Sequence, residues 1–181
     1  MQSILIIVLA ALLNSSAIPV CVTMDHLMVG TKYGRSSGQR PSAFVFTENG
    51  IDVHVDRYAK TPGGYAFYQA QIESATPTFG TKNVINVNNI SLIFNFHRWP
   101  SGVQKVTLDF LEKGEFQNLS INGSQVYKGS LTKVPSRIGS IRITSTWSSA
   151  KGNKGTLELT GQIKTLSIGG QELWIDNVCG S

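Results

Sequence analysis

The sequence predicts an all-β, antiparallel domain built as a sandwich or a barrel. Apolar and polar residues alternate in short segments over most of the chain after residue 40, as they do in strands with one buried face. Clusters of Gly, Pro, Asn and Ser separate these segments. After the N-terminal region, no long segment shows the 3.6-residue period of an amphipathic helix. Many short strands divided by turn residues are typical of β-sandwiches and barrels.

The strictest alternation lies in residues 51–56, Ile-Asp-Val-His-Val-Asp, and it recurs at 106–110, 138–146 and 156–160. The segments 92–96 and 117–126 are further candidates. We therefore predict about ten strands in one domain, because no linker interrupts the series.

Two dipeptides predict tight hairpins. Asn122-Gly123 and Gly169-Gly170 are each flanked by alternating apolar residues. Both dipeptides accept the positive φ angles that two-residue hairpin turns require. We therefore expect a chain reversal at each of them.

Composition excludes several classes of protein. The chain has 181 residues, 41% of them hydrophobic, which is incompatible with global disorder. It has 18 Gly and 6 Pro, so it is not collagen-like. Two Cys are too few for a disulfide-dense miniprotein or for a four-thiolate zinc site.

The N-terminal sequence predicts an export signal. Residues 4–13 are all apolar, a run too short to span a membrane as a helix, which takes about 20 residues. Small residues follow, and a cut after Ala17 fits the signal-peptide pattern. We therefore expect a cleaved signal peptide at 1–17 and a secreted β-sandwich domain at 18–181. No second apolar stretch approaches spanning length, so we expect no transmembrane anchor.

Both cysteines lie at the ends of the predicted domain, Cys21 near its start and Cys179 near its end. In an oxidising compartment such a pair is expected to form a disulfide. The bond requires the first and last strands to come within about 7 Å at their Cα atoms. The alternative is a pair of free, buried thiols.

Three stretches resemble one kind of extracellular domain. Residues 22–34, VTMDHLMVGTKYG, are similar to the opening strand of secreted jelly-roll domains. Residues 114–123, GEFQNLSING, resemble an Asn-Leu-x-x-Asn-Gly strand of the same domains. Residues 173–178, LWIDNV, look like the closing strand of galactose-binding-like jelly rolls, including many carbohydrate-binding modules. The resemblance spans most of the mature chain and implies a jelly-roll β-sandwich.

The resemblance also implies a structural Ca²⁺. In that superfamily the opening acid and the closing Asp often ligate the ion, and the matching positions here are Asp25 and Asp176. The opening acid is Asp instead of the usual Glu and is one methylene shorter. Carboxylate oxygens on neighbouring strands suit Ca²⁺. The alternative is that both acids are ordinary carboxylates at a sheet edge.

Aromatic residues near predicted turns are candidate platforms for the apolar face of a sugar. Neighbouring polar side chains would then bond the sugar hydroxyls. Trp99 and Trp147 are the strongest candidates. The full set of candidate ligand-binding residues is Trp99, Trp147, Arg98, Asn95, Tyr65 and Tyr68. The alternative is that these rings pack in the core or at its rim.

The net charge of +5 is spread over scattered Lys and Arg residues. No nucleic-acid motif accompanies it, and the export signal argues against a nucleic-acid partner. If a polyanion binds, an acidic glycan is the favoured one. Three Asn-x-Ser sequons mark candidate glycosylation sites at Asn89, Asn118 and Asn122.

The chain carries no recognised catalytic motif. We therefore interpret it as a secreted, non-catalytic binding module for carbohydrate or cell-surface glycan. One alternative is an extracellular structural, matrix or adhesion protein that associates with itself or with matrix proteins. A weaker alternative is a small glycan hydrolase or lyase.

Overall fold

The computed structural model describes residues 18–60, 62–114, 116–149 and 152–181. The predicted signal peptide at 1–17 lies outside these residues. Strands dominate the described chain, with short 3₁₀ turns at Arg35–Ser37 and Leu131–Lys133. In this part of the chain no helix has the length and apolar character needed to cross a membrane.

In chain order the strands are β1 (Val20–Val22), β2 (Lys32–Gly34), β3 (Ala43–Glu48), β4 (Ile51–Asp56), β5 (Tyr58–Ala59), β6 (Tyr65–Ala66), β7 (Gln69–Thr76), β8 (Phe79–Asn88), β9 (Ile90–Asn95), β10 (Val103–Glu112), β11 (Gln117–Ile121), β12 (Tyr127–Gly129), β13 (Arg137–Ile138), β14 (Ile141–Ser148), β15 (Asn153–Ile163), β16 (Thr165–Gly170) and β17 (Leu173–Gly180).

The described residues thus form seventeen strands, more than the ten or so predicted. The excess comes from strands of two or three residues, such as β5, β6 and β13. A strand of two or three residues is too short to show an alternation of apolar and polar residues in the sequence. Such strands are identified only by their pairing with other strands in the structure.

The strands form two main sheets, and every pair is antiparallel. The large sheet has the order β13-β14-β15-β10-β17-β8-β7-β2, and β1 also pairs with β17. The small sheet has the order β12-β11-β16-β9-β4-β3. Strands β5 and β6 form a separate hairpin.

The two sheets pack against each other through one hydrophobic core. In β4, Ile51, Val53 and Val55 are fully buried, whereas the alternating polar side chains face outward. Inward-facing residues of β10 and β9, such as Phe110 and Phe94, are equally buried. Each such side chain contributes about 1.5–3 kcal/mol on burial. The predicted antiparallel sandwich is therefore confirmed at the level of its layers.

The predicted disulfide is confirmed. Strand β1 pairs with β17 so that Cys21 lies directly opposite Cys179. The two residues are disulfide-bonded with their Cα atoms 4.0 Å apart, within the predicted limit. The bond links the first strand of the described chain to the last.

The prediction of a hairpin at Gly169-Gly170 is wrong. Both glycines belong to β16, which ends at Gly170, and they pair with Ser91 and Ile90 of β9. A Cβ on Gly170 would collide with the Gln117 side chain, and one on Gly169 with the Ser91 side chain. These glycines therefore serve close packing within the sheet.

The reversal at Asn122-Gly123 is present, although it is wider than predicted. Asn122 and Gly123 have φ angles of 52° and 71°. Strands β11 and β12 pair only from Leu119 and Tyr127 outward, which leaves a longer connection between them. Asn122 Oδ1 accepts hydrogen bonds from the backbone N–H groups of Lys164 and Thr165, and these bonds hold the loop against β16.

A β-bulge in β17 positions the most polar part of the large sheet. Thr107 and Asp109 of β10 are paired with Cys179 and Asp176, so β17 has one extra residue between the pairs. Asn177 lies at this irregularity with φ of 50°. A bulge of this kind places two consecutive side chains on one face, and it brings Asp176 and Asn177 to the outer side.

Candidate functional site

The outer face of the large sheet carries an open cleft of about 490 Å³, which we name the large-sheet cleft. It extends over β14, β15, β10 and β17 and ends against the β7–β8 turn. Its lining includes Asp109, Trp147, Lys154, Thr156, Asn177 and the segment 78–81.

Asp109 lies on the floor of the cleft. It faces outward because Leu108 and Phe110, on either side, point into the core. Its Oδ1 accepts a hydrogen bond from Thr156 Oγ1 at 2.7 Å, and its Oδ2 accepts one from Asn177 Nδ2 at 3.0 Å. A carboxylate has about four lone-pair sites, so this one is oriented by two donors and retains capacity for a ligand hydroxyl.

Lys154 crosses one side of the cleft. Its Nζ donates to the Thr78 carbonyl oxygen at 2.9 Å and ties β15 to the β7–β8 turn. An ammonium has three donors, so two remain for a ligand. The cleft therefore offers an oriented acceptor and an oriented donor.

Trp147 borders the cleft at the end of β14, and 47% of the residue is exposed. It alternates with Thr146 and Ser148, so its side chain leaves the strand on the face opposite theirs. Its cross-strand partner is Gly155, where an added Cβ would lie 2.8 Å from Trp147 Cβ. Trp147 is therefore among the residues that line the cleft, but its indole leaves β14 on the face opposite the floor formed by Asp109 and Thr156.

Behind the segment 78–81, the structure brings together the two predicted calcium ligands. Asp176 is fully buried. Its Oδ2 accepts from Thr81 N at 2.9 Å and from Thr81 Oγ1 at 3.3 Å, and its Oδ1 accepts from Asn177 N at 2.7 Å. Asp25 Oδ1 accepts from Asn83 N at 3.0 Å. Both carboxylates therefore accept hydrogen bonds from the first part of β8, Asp176 from Thr81 and Asp25 from Asn83.

The pKa of Asp176 is raised above its ordinary value. Burial is the main cause, and the nearby charge of Asp25 raises the pKa further. The hydrogen bonds from Thr81 and Asn177 oppose this rise. A proton or a cation at this pair would relieve the cost of two neighbouring negative charges.

The donor set around the pair is small. The described residues hold no group of three or more His, Cys, Asp or Glu side chains arranged for a metal. The Asn83 side chain donates to the carbonyl oxygens of Met24 and Leu27 at 3.4 and 2.9 Å. A Ca²⁺ ion here would thus depend on two carboxylates plus backbone or water oxygens, a mixture that calcium accepts.

Three of the predicted ligand-binding residues lie away from this cleft. Trp99 is partly buried and packs on the core beside Phe96, with ring centroids 6.4 Å apart, so it forms no free platform. The Arg98 side chain packs over Gly50. Asn95 Oδ1 accepts from the backbone N–H of His97 at 3.0 Å. The structure places this group at the end of β9, in the small sheet.

The two predicted tyrosines are exposed, Tyr65 by 69% and Tyr68 by 51%. Tyr65 lines a second cavity, on the outer face of the small sheet. The six candidates therefore do not form one site, and only Trp147 borders the large-sheet cleft.

The three sequons differ in accessibility. Asn118 is 5% exposed, and its side-chain amide bonds both the N–H and the C=O of Ala59 at 2.7 and 3.1 Å. A glycan at Asn118 would have to break both bonds. Asn122 is exposed and Asn89 is half-buried, each in a turn with positive φ.

The residues that form the floor of the cleft were missed by the sequence reasoning. Asp109, Thr156 and Asn177 are distant in sequence and meet only because β10 pairs with both β15 and β17. The available signal was weak: Asp109 and Thr156 are outward polar positions in alternating strands, as are many others in this chain.

Comparisons with known proteins give no relative on which to base an assignment. No family model, no curated protein and no solved structure matches this chain.

Proposed function

We propose that this protein is a secreted, non-catalytic carbohydrate-binding module of jelly-roll type, and that the large-sheet cleft holds the glycan. The observation that carries the proposal is Asp109, a carboxylate oriented by Thr156 and Asn177 on the floor of an open cleft.

The chemistry of the cleft suits a sugar. Each sugar hydroxyl is both donor and acceptor, and neighbouring hydroxyls are recognised by fixed carboxylate and ammonium groups. Asp109 supplies the acceptor and Lys154 the donor. Because Asp109 is already oriented in the free protein, ligand binding loses little side-chain entropy there.

Export of the protein is supported by the disulfide between Cys21 and Cys179. Such bonds persist in oxidising compartments and are rare in the cytosol. Together with the predicted signal peptide at 1–17, this favours an extracellular site of action.

We also propose that Asp25 and Asp176 hold a structural Ca²⁺. The two carboxylates are close enough for one to raise the pKa of the other, which is the electrostatic situation that a divalent cation relieves. The ion would tie the N-terminal loop to β17 and steady the wall formed by Thr81. No step of glycan binding requires it to contact the sugar.

The proposal is tested by retention of the mature domain on insoluble cellulose, chitin, xylan and β-1,3-glucan, with calcium and then with EDTA. We expect retention on at least one of them. Asp109→Ala is expected to weaken it about tenfold or more, since one charge-assisted hydrogen bond is worth about 1.5–3 kcal/mol.

Two control variants separate the cleft from general surface effects. Glu172→Ala removes an exposed carboxylate outside the cleft, and Tyr68→Ala removes an exposed ring outside it. Both controls are expected to bind as the wild type does. Equal binding by Asp109→Ala and the wild type, or no retention on any of the four materials, would overturn the proposed site or function respectively.

A further inference from the structure

The outer face of the small sheet carries a second and larger cavity of about 810 Å³, which we name the small-sheet groove. It lies on the opposite side of the sandwich from the large-sheet cleft, because the inner faces of the two sheets form the common core. The function proposed above makes no use of it.

An in-register row of outward side chains forms the floor of the groove, where Ile93, Ser167 and Ser120 line it, and the row continues beyond the groove to His54. His54 of β4 pairs with Ile93 of β9, Ile93 with Ser167 of β16, and Ser167 with Ser120 of β11. Outward residues in register stand side by side, so this row crosses four strands and spans about 14 Å at the usual strand spacing of about 4.8 Å. Ile93, Ser167 and Ser120 are small enough to leave a depression along it.

One wall of the groove is the chain that follows β4. Ala59 lies against β11, where the Asn118 side chain bonds its N–H and its C=O at 2.7 and 3.1 Å. This bidentate contact holds the β5–β6 hairpin against the small sheet. Tyr65, on that hairpin, lines the groove and is the most exposed aromatic residue in the described chain.

The other lining groups provide both apolar contact and hydrogen bonds. Val126 is 39% exposed and lines the groove from the β11–β12 connection. Arg57 and Asp56 lie together at the end of β4, so the local charge is balanced. Asp56 Oδ1 accepts from the Arg57 backbone N–H, and the Arg57 guanidinium makes no ion pair within the described residues.

We propose that the small-sheet groove binds an extended polysaccharide chain that runs across the strands, so that one monomer carries two glycan sites on opposite faces. Short hydroxyl side chains bond sugar hydroxyls, and Tyr65 and Ile93 contact the apolar face of a ring. The balanced charge favours a neutral chain over an acidic one.

This inference takes its ligand class, a glycan, from the proposed function. It adds a second binding site and predicts that a monomer bridges two glycan chains. Because the two sites face away from each other, they cannot hold adjacent units of one short chain. A monomer with both sites therefore bridges two polysaccharide chains, a behaviour that a single site cannot produce without dimerisation.

The experiment uses native affinity electrophoresis in gels that contain hydroxyethylcellulose, xylan, β-1,3-glucan or alginate. Beads coated with the retained polysaccharide then report bridging by monomeric protein. Ser167→Tyr fills the floor of the groove, Tyr65→Ala removes its ring, and Asp109→Ala disables the large-sheet cleft. Thr144→Tyr, at an exposed strand position that lines neither cavity, is the matched control for Ser167→Tyr.

In the Asp109→Ala background, where the groove alone binds, we expect retention on a neutral polysaccharide to fall about tenfold with Tyr65→Ala, the equivalent of about 1.4 kcal/mol. Ser167→Tyr and Asp109→Ala should each abolish bead bridging while leaving some retention, and the double variant should lose both. Thr144→Tyr should behave as the wild type. The melting temperature of each variant shows whether it is folded. If Ser167→Tyr does not fold, Tyr65→Ala still tests the groove.

The outcomes separate the two proposals. Wild-type binding and bridging by both Tyr65→Ala and Ser167→Tyr would overturn the second site and leave the cleft in place. Loss of all binding in a folded Ser167→Tyr variant, with normal binding by Asp109→Ala, would support the groove and overturn the cleft. Retention only on alginate would overturn the neutral ligand, and no retention on any probe would overturn both proposals.

Discussion

Asn177 donates its side-chain amide to Asp109 over 3.0 Å, across the pairing of β17 with β10. The contact exists because Asn177 adopts φ of 50° at a bulge, which turns its side chain to the same outer face as Asp176. A local departure from strand geometry therefore orients the carboxylate on the floor of the proposed glycan site.

The backbone and the amide of Asn177 should make separable contributions to stability. Asn177→Ala removes the hydrogen bond and places a Cβ at positive φ without the local bonding that suits Asn to that region, whereas Asn177→Gly removes only the bond. We expect the alanine variant to be about 1 kcal/mol less stable than the glycine variant in urea unfolding. Equal stability of the two would contradict this account of the bulge.

Gly170 should tolerate no side chain. A Cβ there would overlap the Gln117 side chain, which is itself fully buried. We expect Gly170→Ala to lower the free energy of unfolding by about 1–3 kcal/mol through overpacking. Gly63→Ala, where a Cβ meets nothing within 4 Å, should be near neutral. Adding Gln117→Ala to Gly170→Ala should recover part of the loss if the overlap is its cause.

The disulfide should contribute strongly, because it closes a loop with a sequence separation of 158 residues. The chain-entropy model gives an upper value of about 5 kcal/mol for a loop of this order. We expect the double variant Cys21→Ser/Cys179→Ser to unfold at much lower denaturant concentration. Dithiothreitol should shift the wild type in the same direction and leave the double variant unchanged. A wild-type midpoint that is insensitive to reduction would contradict the expectation.

The raised pKa of Asp176 predicts a particular dependence of stability on pH. A folded-state pKa above the unfolded value of about 3.9 means that the folded protein binds this proton more tightly. The resulting stabilisation is complete below the unfolded pKa and is lost as the pH rises through the folded pKa.

This dependence is measured by comparing the wild type with Asp176→Asn, which stays neutral. The unfolding free energy of the wild type relative to that variant should fall as the pH rises above the unfolded pKa of about 3.9, in the absence of divalent ions. A difference that is constant, or that grows in favour of the wild type as the pH rises, would show that burial does not dominate at Asp176.

Calcium should reverse this loss. A cation between Asp25 and Asp176 binds the ionised carboxylates, so millimolar Ca²⁺ should raise the melting temperature near neutral pH and do so less at acidic pH. Asp25→Asn should abolish the effect, and Mg²⁺ should reproduce little of it because it demands a stricter octahedral shell. An equal calcium effect in Asp25→Asn would place the ion elsewhere.

Local sequence patterns predicted the parts of this fold that depend on local chemistry. The alternation in residues 51–56 became β4, with Val53 buried and His54 facing outward. The positions of Cys21 and Cys179 near the two ends correctly predicted that the first and last strands are neighbours. Both predictions rest on rules that act over a few residues or on covalent chemistry with a strict distance requirement.

Other features of the fold depend on contacts between strands that are distant in sequence. Gly169-Gly170 has the sequence of a hairpin turn, yet it forms the end of β16 because it pairs with β9, and the approach of Ser91 and Gln117 leaves no room there for a side chain. Trp99 and Trp147 look alike in sequence, and only the packing of the sheets makes the first half-buried and leaves the second exposed.

The two cavities have the same origin. Asp109 meets Asn177, and Ser167 meets Ile93, only because strands distant in sequence become neighbours in a sheet. The fold class, the faces of the longer strands and the disulfide were predictable from the chain alone, since they follow from alternation and from two cysteines. The strand order determined where polar side chains converge, because register is set by contacts between all the strands together and by no single segment.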